Sequence, residues 1–183
     1  MDTDSIIMRE AQEIVRSMGR AEWDVFYLEL AEKLAARSTC RRRQVGAIAI
    51  KGHVQLATGS NRAPLESMDC TRPDGYCLRQ QMGVPSGERH ELCRVVHAEQ
   101  NLIIQAATLG FSLTNADVYC THLPCYICAK MLVVCGIRKI IYAHHYPDPY
   151  TPFLCKDAGV ELIHVQPVTD FETRENACDI DHD

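Results

Sequence analysis

An α/β sandwich around a mixed sheet is the fold class this 183-residue sequence predicts, and three observations carry it. Five short apolar runs, at 45–50, 54–59, 117–121, 139–143 and 160–165, have strand character. The first two flank Lys51-Gly52-His53, a hairpin signal that calls for antiparallel pairing. Helical patterns separate the last three, the spacing of strand–helix–strand units, so the sheet is mixed. Composition agrees: 46% hydrophobic and 23% charged residues are ordinary globular values and exclude a disordered or collagen-like chain.

The elements follow in order. Residues 5–18 place Ile6, Ile7, Ala11, Ile14, Val15 and Met18 on one helical face, between a cap at Thr3 or Asp4 and Gly19. A second amphipathic helix is predicted over 24–37. After the hairpin, residues 69–96 mix Cys, Gly, Pro and Arg without a period. They form a long functional insertion or are organised by something other than a core. Helix resumes at 97–109, and a further helix at 126–135 is closed by Gly136. A short helical stretch near 153–158 precedes the last strand. The acidic tail from Asp170 is expected to be mobile. These boundaries give an N-terminal helical extension over 1–20, a single domain over 21–168 with its insertion at about 66–96, and a tail over 169–183.

Net charge is −5, which weighs against a protein whose main task is gripping a long nucleic acid. The charge is uneven: residues 37–94 hold ten Lys and Arg against five Asp and Glu, and the remainder nine against nineteen. A basic segment in an acidic protein suits a small anionic ligand such as a phosphate; solvated surface charge is the alternative. The N-terminus MDTDSIIMRE lacks the basic-then-apolar order of a secretion signal, and the longest apolar run, 131–137, is far short of the roughly 20 residues of a membrane span. The expected compartment is the cytoplasm. Ten cysteines in such a chain read first as metal ligands rather than disulfides.

The chemistry concentrates in His97-Ala98-Glu99 and Pro124-Cys125-Tyr126-Ile127-Cys128, each at the start of a predicted helix. Cys125 and Cys128 are one turn apart and share a face. One imidazole and two thiolates fill three positions of a tetrahedral Zn²⁺ and leave the fourth for water. Positive helix ends lower thiol pKa values and favour ligation. Glu99, two residues from His97, is placed to move a proton without binding the metal. The alternatives are a closed structural zinc site or metal-free core cysteines; a bare C-x-x-C fits either, but neither accounts for the glutamate and proline. The pattern H-x-E…P-C-x-x-C is the signature of zinc-dependent base deaminases. In that chemistry zinc activates water and the glutamate carries protons to ring N3 and to the departing amine.

Further blocks narrow the resemblance. STCRRRQVGAIAI, ATGSNRAP, GYCLRQ, GERHELCRVVHAEQN, THLPCYICAK and GIRKIIYAHHY, in this order between about 38 and 165, resemble the deoxycytidylate (dCMP) deaminases of the cytidine deaminase superfamily. The resemblance implies a three-layer α/β/α cytidine-deaminase-like fold with a central mixed sheet. It implies hydrolysis of dCMP to dUMP and ammonia for thymidylate synthesis, and a homo-hexamer activated by dCTP, with Mg²⁺ entering only with the triphosphate, and inhibited by dTTP. His97, Cys125 and Cys128 match the catalytic zinc ligands and Glu99 the proton shuttle. Asn61 matches a deoxyribose-contacting asparagine, the Ala98 backbone would meet the pyrimidine edge, and Tyr146 matches a tyrosine near the nucleotide.

Where the family block usually reads Gly-Tyr-Asn-Gly, this chain has Gly59-Ser60-Asn61-Arg62, losing an aromatic and gaining a charge. Arg62 is a phosphate candidate or a solvent-exposed arginine. Thr121 either bonds substrate or caps its strand. Members of the family often carry a second, structural zinc, and Cys40 and Cys70 fall at matching positions. Cys77 and Cys93 complete a candidate set with His90 as substitute, and free thiols are the alternative. Arg41-Arg42-Arg43 is a candidate for nucleotide phosphates or a charged approach to the hairpin. His144 and His145 follow a strand and are candidates for the pocket mouth or, as adjacent loop histidines more often are, surface residues; His122, three residues before Cys125, is at most a buttress for it. Cys120 and Cys135 read as core. Competing functions are a deaminase for dCTP, a modified cytosine nucleotide or tRNA adenosine, a silent nucleotide-sensing or assembly subunit, and a zinc module for nucleic acid. Net acidity argues against an RNA face, and the intact glutamate and ligands argue against a silent subunit.

Overall fold

The computed structural model describes residues 19–64 and 67–166; the helix expected over 5–18 and the acidic tail lie outside them. In chain order the elements are α1 (Arg20–Ala35), β1 (Gly46–Lys51), β2 (Val54–Ser60), α2 (Leu78–Gln81), a 3₁₀ turn (His90–Leu92), α3 (Ala98–Leu109), β3 (Asp117–His122), α4 (Tyr126–Val134), β4 (Lys139–His144), α5 (Thr151–Asp157) and β5 (Glu161–His164).

The five strands form one sheet in the order β2-β1-β3-β4-β5. β1 is antiparallel to both β2 and β3, whereas β3, β4 and β5 run parallel, so the sheet is mixed as the element spacing predicts. The hairpin turns on Gly52 and His53, with φ of 54° and 63°, the two left-handed residues that a two-residue turn of this hand requires. The parallel strands are joined through α4 and α5, because a parallel connection must carry the chain back along the sheet.

Period-two alternation divides the core. Ile48, Ile50, Tyr119, Ile141 and Ala143 point to one face, where Tyr27, Leu28 and Ala31 of α1 cover them. Ala47, Ala49, Ala57, Val118, Cys120 and Ile140 point to the other, beneath Ala98, Leu102 and Ala106 of α3, Leu132 of α4 and Cys155 of α5. The result is three layers, α/β/α. Two glycines set the spacing of the layers. A Cβ on Gly46 would lie 2.0 Å from the Ala31 carbonyl oxygen of α1, and one on Gly59 2.0 Å from the Ala98 carbonyl oxygen of α3. Only residues without a side chain let helix backbone descend this far onto a strand.

The insertion has little regular structure beyond α2 and the 3₁₀ turn, as its aperiodic sequence implies. It leaves and returns at one point: Arg62 and Val96 exchange both backbone hydrogen bonds, at 3.1 and 2.9 Å. Among the described residues no helix is long and apolar enough to cross a membrane.

Candidate active site

Two helix starts meet at one end of the sheet. His97 is the N-cap of α3 and Cys125 the N-cap of α4, both with extended backbone (ψ 158° and 159°). The His97 N–H donates to the Gln100 side chain at 2.9 Å, which fixes the entry of α3. Asp148 does the same for α4: it accepts the Tyr126 N–H at 2.5 Å and also the N–H groups of Tyr150 and Thr151. The buried Thr151 hydroxyl donates to the Pro124 carbonyl at 3.0 Å, tying the cysteine-bearing turn to α5.

His97 Nδ1 therefore stands 3.5 Å from Cys125 Sγ and 3.4 Å from Cys128 Sγ. Ligand bonds of about 2.0–2.1 Å to nitrogen and 2.3 Å to sulfur at tetrahedral angles give an N···S edge of about 3.6 Å, so the three atoms have the spacing of a zinc site. Among the described residues this is the one His, Cys and acid cluster with all ligand atoms within 4.8 Å of each other. A borderline-soft cation matches one imidazole and two thiols, and the residues fit zinc.

The electrostatics are those of a site ready to exchange protons for a metal. Burial disfavours the imidazolium of His97, yet hydrogen bonds to Cys125 and Cys93 and the charge of Glu99 push it up to about 10. The hydrogen bond from Cys128, working against burial and aided by His97, drives Cys125 down, and the same bond together with burial drives Cys128 up. Of the two thiols Cys125 is the more readily deprotonated, and metal binding here releases protons from the ligand set. Glu99, in the first turn of α3, is 4% exposed, and burial pushes its carboxyl above the usual range.

The pair of helix starts opens into a cavity of about 1150 Å³, lined by His97, Ala98, Glu99 and Cys125 and by Asn61, His122 and Tyr146. Most sequence-derived candidates come together here. Ala98 is fully buried at its wall. The Asn61 side chain accepts the Val45 N–H and donates to the Arg43 carbonyl, both at 2.8 Å, so it braces the approach to β1. Tyr146 lies beneath the Arg43 guanidinium, 5.1 Å from its ring centre, and its hydroxyl meets His90 Nε2 at 3.0 Å. His90, the substitute ligand of the second cysteine set, has its ring 5.1 Å from that of His97. Two candidates stand off the cavity wall. Thr121 is fully buried and its hydroxyl accepts the Gly46 N–H at 3.2 Å, the capping role. Arg62 belongs to the bridge that closes the insertion.

Cys40, Cys70, Cys77 and Cys93 all line the same cavity without reaching ligand spacing in the described structure. Burial and the neighbouring cysteines push Cys70 up to about 11, and Cys40 rises for the same reasons. Cys93 goes down: burial opposes this, but hydrogen bonds to His97 and to the Val95 backbone prevail. Asp148 and Arg79, the latter also on the cavity wall, are the site residues that sequence reading misses.

A family model described as the cytidine and deoxycytidylate deaminase zinc-binding region matches residues 21–144. The chain belongs to this family. It is similar to the deoxycytidylate deaminase of Schizosaccharomyces pombe, with 33% identity over 144 residues covering 78% of this chain and 44% of that one. ComE operon protein 2 of Bacillus subtilis is 32% identical over 162 residues, or 86% of this chain and 80% of that one. The chain thus spans less than half of the yeast relative but most of the bacterial one. The fold also matches the crystal structure of dCMP deaminase from cyanophage S-TIM5 in complex with dCMP and dUMP. That match has a TM-score of 0.66 and 29% identity over 81% of this chain and 99% of that one.

Proposed function

We propose that this protein hydrolyses dCMP to dUMP and ammonia, with a zinc ion held by His97, Cys125 and Cys128. The observation that carries the reading is the tetrahedral spacing of those three ligand atoms beside the buried carboxyl of Glu99 on the same cavity wall. Zinc bound there supplies Lewis acidity for activating water. The chain's own part is proton transfer and positioning. Glu99 Oε holds a proton at little cost because burial favours its neutral form, so it can deliver one to pyrimidine N3 and then one to the departing amine. The helix start at Ala98 would present backbone to the pyrimidine edge, and Asn61 and Tyr146 line the wall where sugar and phosphate follow. Its own burial keeps the Glu99 carboxyl largely out of bulk water.

The same reading takes Cys40, Cys70, Cys77 and Cys93 as ligands of a second, structural zinc. Burial, with the neighbouring cysteines adding to it, raises the thiol pKa values of Cys40 and Cys70, and a bound dication would favour their thiolates. It also includes a cytoplasmic homo-hexamer, activated by dCTP with Mg²⁺ and inhibited by dTTP. Ammonia release from zinc-loaded protein tests the reaction. The substrates are dCMP, dCTP, CMP and deoxycytidine, each with and without dCTP–Mg²⁺, and Glu99→Ala is the control. Turnover of dCMP that vanishes in the control is expected. Silence on all four with zinc still bound rejects the reaction.

A further inference from the structure

Arg79 is a buried charge that the reaction described above does not use. It is the second residue of α2, in the insertion, and is only 6% exposed. Its Nη2 donates to the Pro85 carbonyl at 2.9 Å, but its Nε is buried with no hydrogen-bond partner. Among the described residues no carboxylate pairs with it. A guanidinium withdrawn from water without a counter-charge is strongly disfavoured, and proteins retain one where an anion completes it. Its place says where that anion lies. Arg79 lines the cavity that holds His97, Glu99 and Cys125, and its charge acts on His90 and Tyr146, the pair bonded to each other beside His97.

Four other arginines line this wall, and all differ: Arg43 lies over the Tyr146 ring and Arg94 over the Tyr76 ring. Arg41 is exposed and Arg42 half-buried, and each donates to a backbone carbonyl of the insertion, Arg72 and Val84 respectively. These four supply a positive rim, whereas Arg79 alone of the five is withdrawn from solvent, with its Nε left unpartnered. A guanidinium with free N–H groups matches a tetrahedral oxyanion, which it can grip through two parallel hydrogen bonds.

We propose that Arg79 binds the 5′-phosphate of the nucleotide substrate and is the residue by which this site prefers a nucleotide to its nucleoside. The inference rests on the proposed deamination of dCMP and adds to it a purpose for the insertion. Beyond holding a metal, the insertion carries an anion-reading side chain to the catalytic cavity, two residues after Cys77.

The test uses zinc-loaded full-length protein, wild type beside Arg79→Gln, with dUMP and deoxyuridine as binding probes followed by calorimetry and thermal shift. Arg79→Gln is expected to raise KM for dCMP roughly 10- to 100-fold with kcat changed by less than about threefold. It should weaken dUMP by the same factor and leave deoxyuridine binding unchanged. Ligand-free Arg79→Gln should melt no lower than wild type, because an unpaired charge has been removed. Should Arg79→Gln fail to fold, Arg79→Met keeps the apolar stem and carries the same measurements. Equal losses for dUMP and deoxyuridine would overturn the inference. So would an unchanged KM with only dCTP activation lost, and so would loss of zinc, which would make Arg79 a counter-charge for the cysteines. If wild type bound dUMP in an Arg79-dependent way but released no ammonia from dCMP, the reaction would fall and the phosphate site would stand.

Discussion

The two cysteine-bearing regions of this molecule are held in different ways. His97 and Cys125 cap regular helices whose entries are fixed by Gln100 and Asp148, so the His97 imidazole stands 3.4–3.5 Å from both sulfurs. Of Cys40, Cys70, Cys77 and Cys93, only Cys77 caps an α-helix, the four-residue α2, and Cys93 closes the 3₁₀ turn; the other two stand on irregular backbone. They share a cavity wall, but no three of them come within ligand distance of one another in the described structure. Ligands on regular elements are pre-organised for a metal, whereas ligands on loops are organised by it.

Four changes separate the two regions. The largest effect is on chemistry in the helix-borne site. Glu99→Gln should lower kcat between about 10²- and 10⁴-fold while bound zinc is unchanged, as read by ammonia release and metal analysis. Next, Cys70→Ser should remove a zinc equivalent and open the segment between Arg62 and Val96 to proteolysis, with the His97 site still loaded. Intact resistance to trypsin would show the insertion stands without metal. Third, Gly59→Ala attacks the helix-borne site through the fold. Its Cβ, 2.0 Å from the Ala98 carbonyl oxygen, must push α3 off the sheet, which should cost about 3 kcal/mol in urea unfolding and displace His97 and Glu99 together.

The smallest effect concerns pH. Burial, with Arg43 and His144 adding to it, pushes His122 down to about 3, so the folded protein keeps it neutral. Unfolded, it binds a proton near pH 6.5. The folded state is therefore fully favoured above 6.5 and loses stability as pH falls toward 3, by about 2 kcal/mol between pH 7 and 5. His122→Asn should flatten that part of the melting-temperature profile, and a variant as steep as wild type would assign the acid slope to other groups.

The sequence made the helix-borne site legible because fixed periodicities tie spacing to space. His97 two before Glu99, and Cys125 three before Cys128, leave little freedom once helices start there. The strands showed in their alternation: Ala47 and Ala49 face one layer, Ile48 and Ile50 the other. What stayed hidden depends on loops. Arg79 reads in sequence as one more surface arginine, since nothing in its neighbours says that α2 turns inward. Asp148 could have been anticipated from an acid shortly before Pro149 and Thr151, but its reach back to Tyr126 joins elements 22 residues apart. The approach of His90 to His97 was hidden because it lies on the 3₁₀ turn, whose direction no periodicity specifies.

The sheet order also has a consequence for how the chain is made. β1 is an inner strand: Ala47 faces Gly59 across one edge and Cys120 across the other. On the ribosome the first partner arrives at once, but the second arrives only after more than sixty further residues. At about 5–20 residues per second this is a delay of several seconds. During that interval the hairpin exposes an unpaired edge and, on the face that α3 later covers, Ala47, Ala49 and Ala57. The insertion is synthesised within this wait, and its closing bridge at Arg62 and Val96 shortens the loop that β3 must then close.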